Sequence, residues 1–186
     1  MQLDIGSRVK TRDGRTAGKV KRIIFDPDRM TVRQFVMQTS GLLPAERIVD
    51  RTLIEKVADD DTVTIRANAD EIDDLPPFVP GVNTPIFYGD MHHAHELGVI
   101  RRPGSVPRDA VVLTRGSQVY DSTGEHLGHL DEVIFDADGR ARAFIIESGI
   151  IFERDIVIPV EAIKSVTHGR ISLNTRAEEL AQAQVA

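Results

Sequence analysis

The sequence predicts an all-β protein built as two small barrels in tandem, each followed by a short helix. Three observations carry that prediction. The stretch Gly6–Asp26 returns as Gly116–Asp136 at a constant offset of 110 residues, with Gly6, Ser7, Val9, Gly14, Gly18, Ile24, Phe25 and Asp26 matched by Gly116, Ser117, Val119, Gly124, Gly128, Ile134, Phe135 and Asp136. Short alternating segments are separated by turn residues at near-regular spacing, the pattern of small all-β barrels. In both copies the alternation collapses at one place, Ile23-Ile24-Phe25 and Val133-Ile134-Phe135. A strand buried on both faces, or bulged, fits a barrel better than a flat sheet.

The elements follow in order. Val9 sits between Arg8 and Lys10, and Arg12 continues the outward row, so residues 7–12 read as a half-buried strand. Asp13-Gly14 makes the turn, where glycine tolerates positive φ. Gly18 precedes a second strand, Lys19–Asp26, with its counterpart in copy two. Asp26-Pro27-Asp28 and Asp136-Ala137-Asp138-Gly139 are turns, leading to strands Val32–Gln38 and Ala141–Glu147 in which Phe35 matches Phe144. Apolar loops follow, Gly41-Leu42-Leu43 and Gly149-Ile150-Ile151, and Ile48-Val49 is aligned with Ile156-Val157. Pro159 has no ladder donor, so its strand is expected to end at Ile158 and turn before Ile163. Val63-Thr64-Ile65 and Ile171-Ser172-Leu173 close the two copies. Helical signals come next, Asn68–Ile72 stopped by Pro76-Pro77, and Asn174–Gln184; an Asn or Thr cap before acidic residues suits a helix start. The expected core is Val9, Ile24, Phe25, Phe35, Val36, Ile48, Val63 and Ile65, then Val119, Ile134, Phe135, Phe144, Ile145, Ile156, Ile171 and Leu173.

The repeat divides the chain into residues 1–78, a connector 79–109 and residues 110–186. Copies of roughly 75 residues stand near the lower end of what folds alone on a hydrophobic core. The connector carries Pro80, Gly81, Pro85, Gly89, Pro103, Gly104 and Pro107, with Asp90–Leu97 as a short helical segment ended by Gly98. Charged residues at 28% and hydrophobic ones at 41% describe an ordinary globular chain. No apolar run approaches the ~18 residues of a membrane helix and the start shows no signal-peptide pattern, so a cytoplasmic protein without membrane insertion is expected. Absence of cysteine excludes disulfides, thiolate catalysis and cysteine zinc sites. A net charge of −6 argues against wholesale nucleic-acid binding while leaving room for a local basic patch.

Gly-Ser-x-Val, a turn glycine, a second glycine and an apolar triplet ending in Phe-Asp resemble the PRC-barrel family. That fold is shared by the cytoplasmic domain of the photosynthetic reaction centre H subunit and the C-terminal domain of a ribosome maturation factor. The resemblance covers about 75 residues at each end and implies binding or assembly modules without an active site of their own. It carries to fold rather than to those particular roles.

Arg8, Lys10, Arg12, Arg15, Lys19, Lys21 and Arg22 with Asp13 give residues 8–22 a net charge of +6. The equivalent stretch 118–132 holds Asp121, Glu125, Asp131 and Glu132 with no lysine or arginine, net −4. Two solvated faces that diverged is one reading; hairpins with different partners, or hairpins that meet within or between chains, is the other. Contact with RNA phosphates is an alternative use of the basic hairpin, although no aromatic residue is interleaved there to stack bases. His92, His95 and Glu96 would share a helix face and could grip a zinc-like ion, yet nothing completes a cage, and polar residues on a solvated connector is the expected reading. His126 and His129 flank Gly128 and are expected at the surface. Carboxylate pairs sit at turns and helix starts, and no nucleophile–base order, phosphate loop or dinucleotide motif is present, so neither an enzyme nor a cofactor is expected. Leu42 and Leu43, with Ile150, Ile151 and Phe152, lie in matching loops with no strand to belong to. They are expected either to fold over a barrel end or to meet a second barrel, within this chain or in a homodimer.

Overall fold

The chain opens with a three-residue strand, β1 (Gln2–Asp4), that its own repeat does not use. The first repeat then forms β2 (Arg8–Lys10), β3 (Thr16–Asp26), β4 (Thr31–Thr39), β5 (Glu46–Asp50), β6 (Ile54–Val57) and β7 (Val63–Ile65). After β8 (Val111–Leu113) the second repeat forms β9 (Gln118–Tyr120), β10 (His126–Phe135), β11 (Ala141–Ser148), β12 (Ile156–Pro159), β13 (Ile163–Thr167) and β14 (Arg170–Leu173), closed by the helix α1 (Ala177–Ala183). The structure, a computed structural model, describes residues 2–58, 60–79, 106–107, 109–148 and 155–183.

The two curled sheets have one topology. Strands run β5-β4-β3-β2-β7-β6 in the first and β12-β11-β10-β9-β14-β13 in the second, antiparallel except for β2 with β7 and β9 with β14. The all-β expectation therefore holds, with local corrections. The long strand of the first hairpin begins at Thr16, not Lys19, and Gly18 lies inside it. A Cβ at Gly18 would run into the backbone carbonyl of Gln38, so only glycine lets β3 and β4 approach this closely. Register also corrects the alignment: Val36 pairs with Ile48 and Ile145 with Val157, which makes Val157, not Ile156, the counterpart of Ile48. Pro159 ends its strand and a 3-10 turn, Val160–Ala162, leads to Ile163. The first repeat's helical signal becomes a 3-10 segment, Ala69–Asp74, with the Glu71 carboxylate accepting from the Asn68 N–H at 2.6 Å. The segment Asp90–Leu97 lies outside the described residues.

The short strands β1 and β8 are exchanged. β1 pairs with β10, aligning Leu3 with Val133, and β8 pairs with β3, aligning Leu113 with Ile23. These are equivalent contacts, because Leu113 and Val133 stand 110 residues after Leu3 and Ile23. An approximate two-fold axis passes between the turns after β3 and β10. There Val32 N–H donates to Gly139 O and Ala141 N–H to Met30 O, both at 2.7 Å, and Thr31 bridges Arg140. Gly139 adopts φ +81°, and a Cβ there would strike Val32 O and Arg51. The junction thus needs glycine on this side, while Met30 opposite takes φ +49°.

Burial follows from the exchange. One apolar core runs through both repeats, from Leu3, Val9, Phe25 and Phe35 to Leu113, Phe135, Phe144 and Leu173. Phe25 meets Phe144 edge to face at 5.5 Å across the junction, a favoured aromatic geometry. The expected core residues are buried except Ile134 and Ile145, which are half-buried. Their counterparts Ile24 and Val36 are covered by a second small cluster with Ile48, Val106 and Ala110.

Candidate interaction surface

β3 carries the chain from the basic hairpin to the junction, and β4 brings it back. Nine residues of β4 span roughly 30 Å. The loop after it therefore stands beside the hairpin at the far end of the first repeat, and Ser40 N–H donates to Ala17 O at 2.8 Å. At its tip Leu42 and Leu43 are 102% and 92% exposed. They neither fold over the barrel end nor join the two repeats, since that junction is made by β1, β8 and the turns at the axis. Ile150, Ile151 and Phe152 lie outside the described residues.

The seven cations of the hairpin are unequal. Arg22 pairs with Glu46 at 2.9 Å and lies over the Phe78 ring at 5.2 Å. Arg12 pairs with Glu55 at 3.6 Å and Arg15 with Asp13 at 3.5 Å. Thr11 holds the Asp13 carboxyl below its ordinary range by a side-chain hydrogen bond, helped by the Arg15 charge. Asp60 is likewise lowered, first by the Thr62 hydroxyl and more weakly by Lys10. Among the described residues no carboxylate lies in ion-pair range of Arg8, Lys19 or Lys21. Arg8 and Lys19 are register partners on adjacent strands, so these exposed cations form a strip beside the leucine tip.

The matching hairpin of the second repeat is differently built. Asp121 is buried at its turn, where burial opposes ionisation. The Thr123 hydroxyl and the N–H groups of Glu125, Thr123 and Ala177 outweigh that cost and hold the carboxyl low. It is a structural anchor tying the hairpin to α1. Asp131 pairs with Arg115, which also lies 3.6 Å from Asp4 on the exchanged strand. Burial, then the Asp131 charge, raises the Asp4 carboxyl, with Arg115 opposing. His126 and His129 are exposed as expected, and a register shift between His126 and Gly128 brings their rings to 5.1 Å. Tyr120 stacks beside His126 at 5.3 Å and under Arg170 at 3.8 Å.

The turn aspartates are anchors too. Asp26, fully buried, faces burial that opposes ionisation, but the Arg29 N–H and the guanidinium groups of Arg29 and Arg33 outweigh it. Asp136 holds the equivalent turn through Arg140 and Asp138 N–H groups and the Arg142 side chain. Among the described residues no three His, Asp or Glu side chains could hold a metal ion together. His92, His95 and Glu96 lie outside the described residues.

Two curled seven-stranded sheets of shared topology, each completed by a short strand from the other repeat, define a small-barrel class of protein. Residues 114–180 match the family model described as the PRC-barrel domain, so the second repeat is similar to that domain. The match spans that repeat alone; the first repeat's likeness to it rests on strand order and register. No curated protein matches the chain. No helix among the described residues is long and apolar enough to cross a membrane.

One surface escaped the sequence reading. Ile134, Ile145 and Val157 share the outer face of the second sheet, and Val157 is 48% exposed. The one-residue shift in the alignment hid Val157 as the counterpart of buried Ile48. The shortened turn before β11 was the available signal.

Proposed function

We propose that the chain is a non-enzymatic protein-interaction module of the cytoplasm, in which the first repeat offers the Leu42–Leu43 tip to another protein and Arg8, Lys19 and Lys21 orient that partner. The full exposure of two adjacent leucines carries this reading. Soluble domains hide such pairs unless something covers them in use. The cations beside the tip favour a partner with an acidic rim, and exposed charges of this kind govern rate and orientation more than affinity. The low-pKa carboxylates support the absence of catalysis, because Asp26, Asp121 and Asp136 are occupied as turn anchors.

The test is affinity capture from the native host with the wild type, Leu42→Ser/Leu43→Ser and Arg8→Glu/Lys19→Glu/Lys21→Glu. A protein retained by the wild type and lost with the leucine variant, insensitive to RNase, is expected. Capture that depends on the cations and vanishes with RNase would establish the RNA alternative instead.

A further inference from the structure

The contacts that hold the molecule together at its axis run from one repeat to the other. Leu3 of β1 aligns with Val133 of β10, and Leu113 of β8 with Ile23 of β3. Val32 N–H donates to Gly139 O, Ala141 N–H donates to Met30 O, and the Phe25 ring meets Phe144. None of these contacts depends on which chain supplies the partner repeat. The first repeat of one copy and the second repeat of another would make the same hydrogen bonds and bury the same core.

What ties the two repeats to each other covalently is residues 79–105. Phe78 and Val106, on either side of them, belong to one apolar cluster with Ile24, Val36 and Ile48. Fully extended, a segment of that length would reach roughly 90 Å, about three times the length of β4. That reach is enough for the chain to pass from one pair of repeats to another. We infer that the chain forms a domain-swapped dimer with a second copy, in which β1 and β8 are exchanged between chains instead of within one. Each first repeat pairs with the partner's second repeat, so two bodies of the same architecture are joined by two connectors. A reciprocal exchange of this kind leaves no short strand unpaired and closes at the dimer.

The swap builds no new interface, so the two forms differ chiefly in how the connectors are held. Tethering within one chain acts as an effective concentration in the roughly millimolar range, which makes the closed monomer the form in dilute solution. The swapped form arises when the repeats separate and refold at high protein concentration. It persists on dilution, because reversal requires opening the core that runs through both repeats. The dimer carries two Leu42–Leu43 tips on separate bodies, and the inference does not rest on what those tips bind.

The chain has no cysteine, and Thr31 bridges Arg140 across the axis. The experiment therefore uses two full-length variants, Thr31→Cys and Arg140→Cys, unfolded together in denaturant, refolded at rising total concentration and oxidised. A disulfide between the two chains is expected, with a yield that rises with concentration. Either variant alone, or the two mixed without unfolding, should give none. Light scattering of the wild-type chain refolded over the same range should show a dimer that survives dilution, which keeps the test decisive if a cysteine variant folds poorly. Leu42→Ser/Leu43→Ser should dimerise to the same extent. Three results overturn the inference: a wild type that stays monomeric after refolding at roughly millimolar concentration, an equal yield of cross-linked dimer from either variant alone, or a dimer lost with the leucine variant, which would place association at the tip. Loss of partner capture by the leucine variant bears on the first repeat's tip alone, so the two readings fail independently.

Discussion

At the scale of single residues, burial and hydrogen bonding set which side chains the fold depends on. Phe25 is fully buried and packs edge to face with Phe144 across the junction. Phe25→Ala is expected to cost roughly 3–5 kcal/mol in denaturant titration. Gly139→Ala should cost about 2 kcal/mol or more, because the new Cβ meets Val32 O at positive φ. The aspartates have opposite signs with pH. Asp121 is held below its ordinary 3.8, so its contribution is present above that value and is lost as pH falls through its folded pKa. Asp121→Ala is expected to cost about 2 kcal/mol at pH 7, a gap that narrows below about pH 4. Asp4 is raised, so its ionised form burdens the fold at neutral pH and the burden lifts as pH falls toward its folded pKa. Asp4→Asn should therefore melt higher than the wild type at pH 7, with the difference shrinking on acidification; a lower melting point at pH 7 would show that the Arg115 pairing dominates.

At the scale of elements, the exchanged strands are what the sequence did not disclose. The repeat was legible because Gly14 and Gly18 and the Phe-Asp ending of β3 recur at fixed spacing, and the apolar triplets marked strands buried on both faces. Those triplets pair edge-on with β8 and β1, which are three residues each, and Ile134 stays half-buried. Strands so short show no alternation, and nothing local says which copy they will join. The core pattern was legible for the same reason that Ile134 and Ile145 misled: alternation reports that a face is apolar, not whether anything covers it. The Leu42–Leu43 tip could be read as apolar residues lacking a strand, whereas the thinning of the basic patch by Glu46, Glu55 and Asp13 depends on contacts between distant strands. Leu113→Ala is expected to cost about 2–5 kcal/mol despite its place in a three-residue strand. Leu42→Ser/Leu43→Ser should leave stability within about 0.5 kcal/mol, since both side chains are exposed.

At the scale of the whole molecule, the exchange of β1 and β8 makes the two repeats one body. The leucine tip stands at the far end of the first repeat from the axis. One apolar core runs through both repeats from Leu3 to Leu173. That single-body architecture is the central claim, and differential scanning calorimetry of the intact chain and of Leu113→Ala tests it most directly. One transition is expected, with calorimetric and van't Hoff enthalpies in agreement, and the substitution should move all of it to lower temperature. Two separate transitions, one of them unmoved by Leu113→Ala, would contradict it.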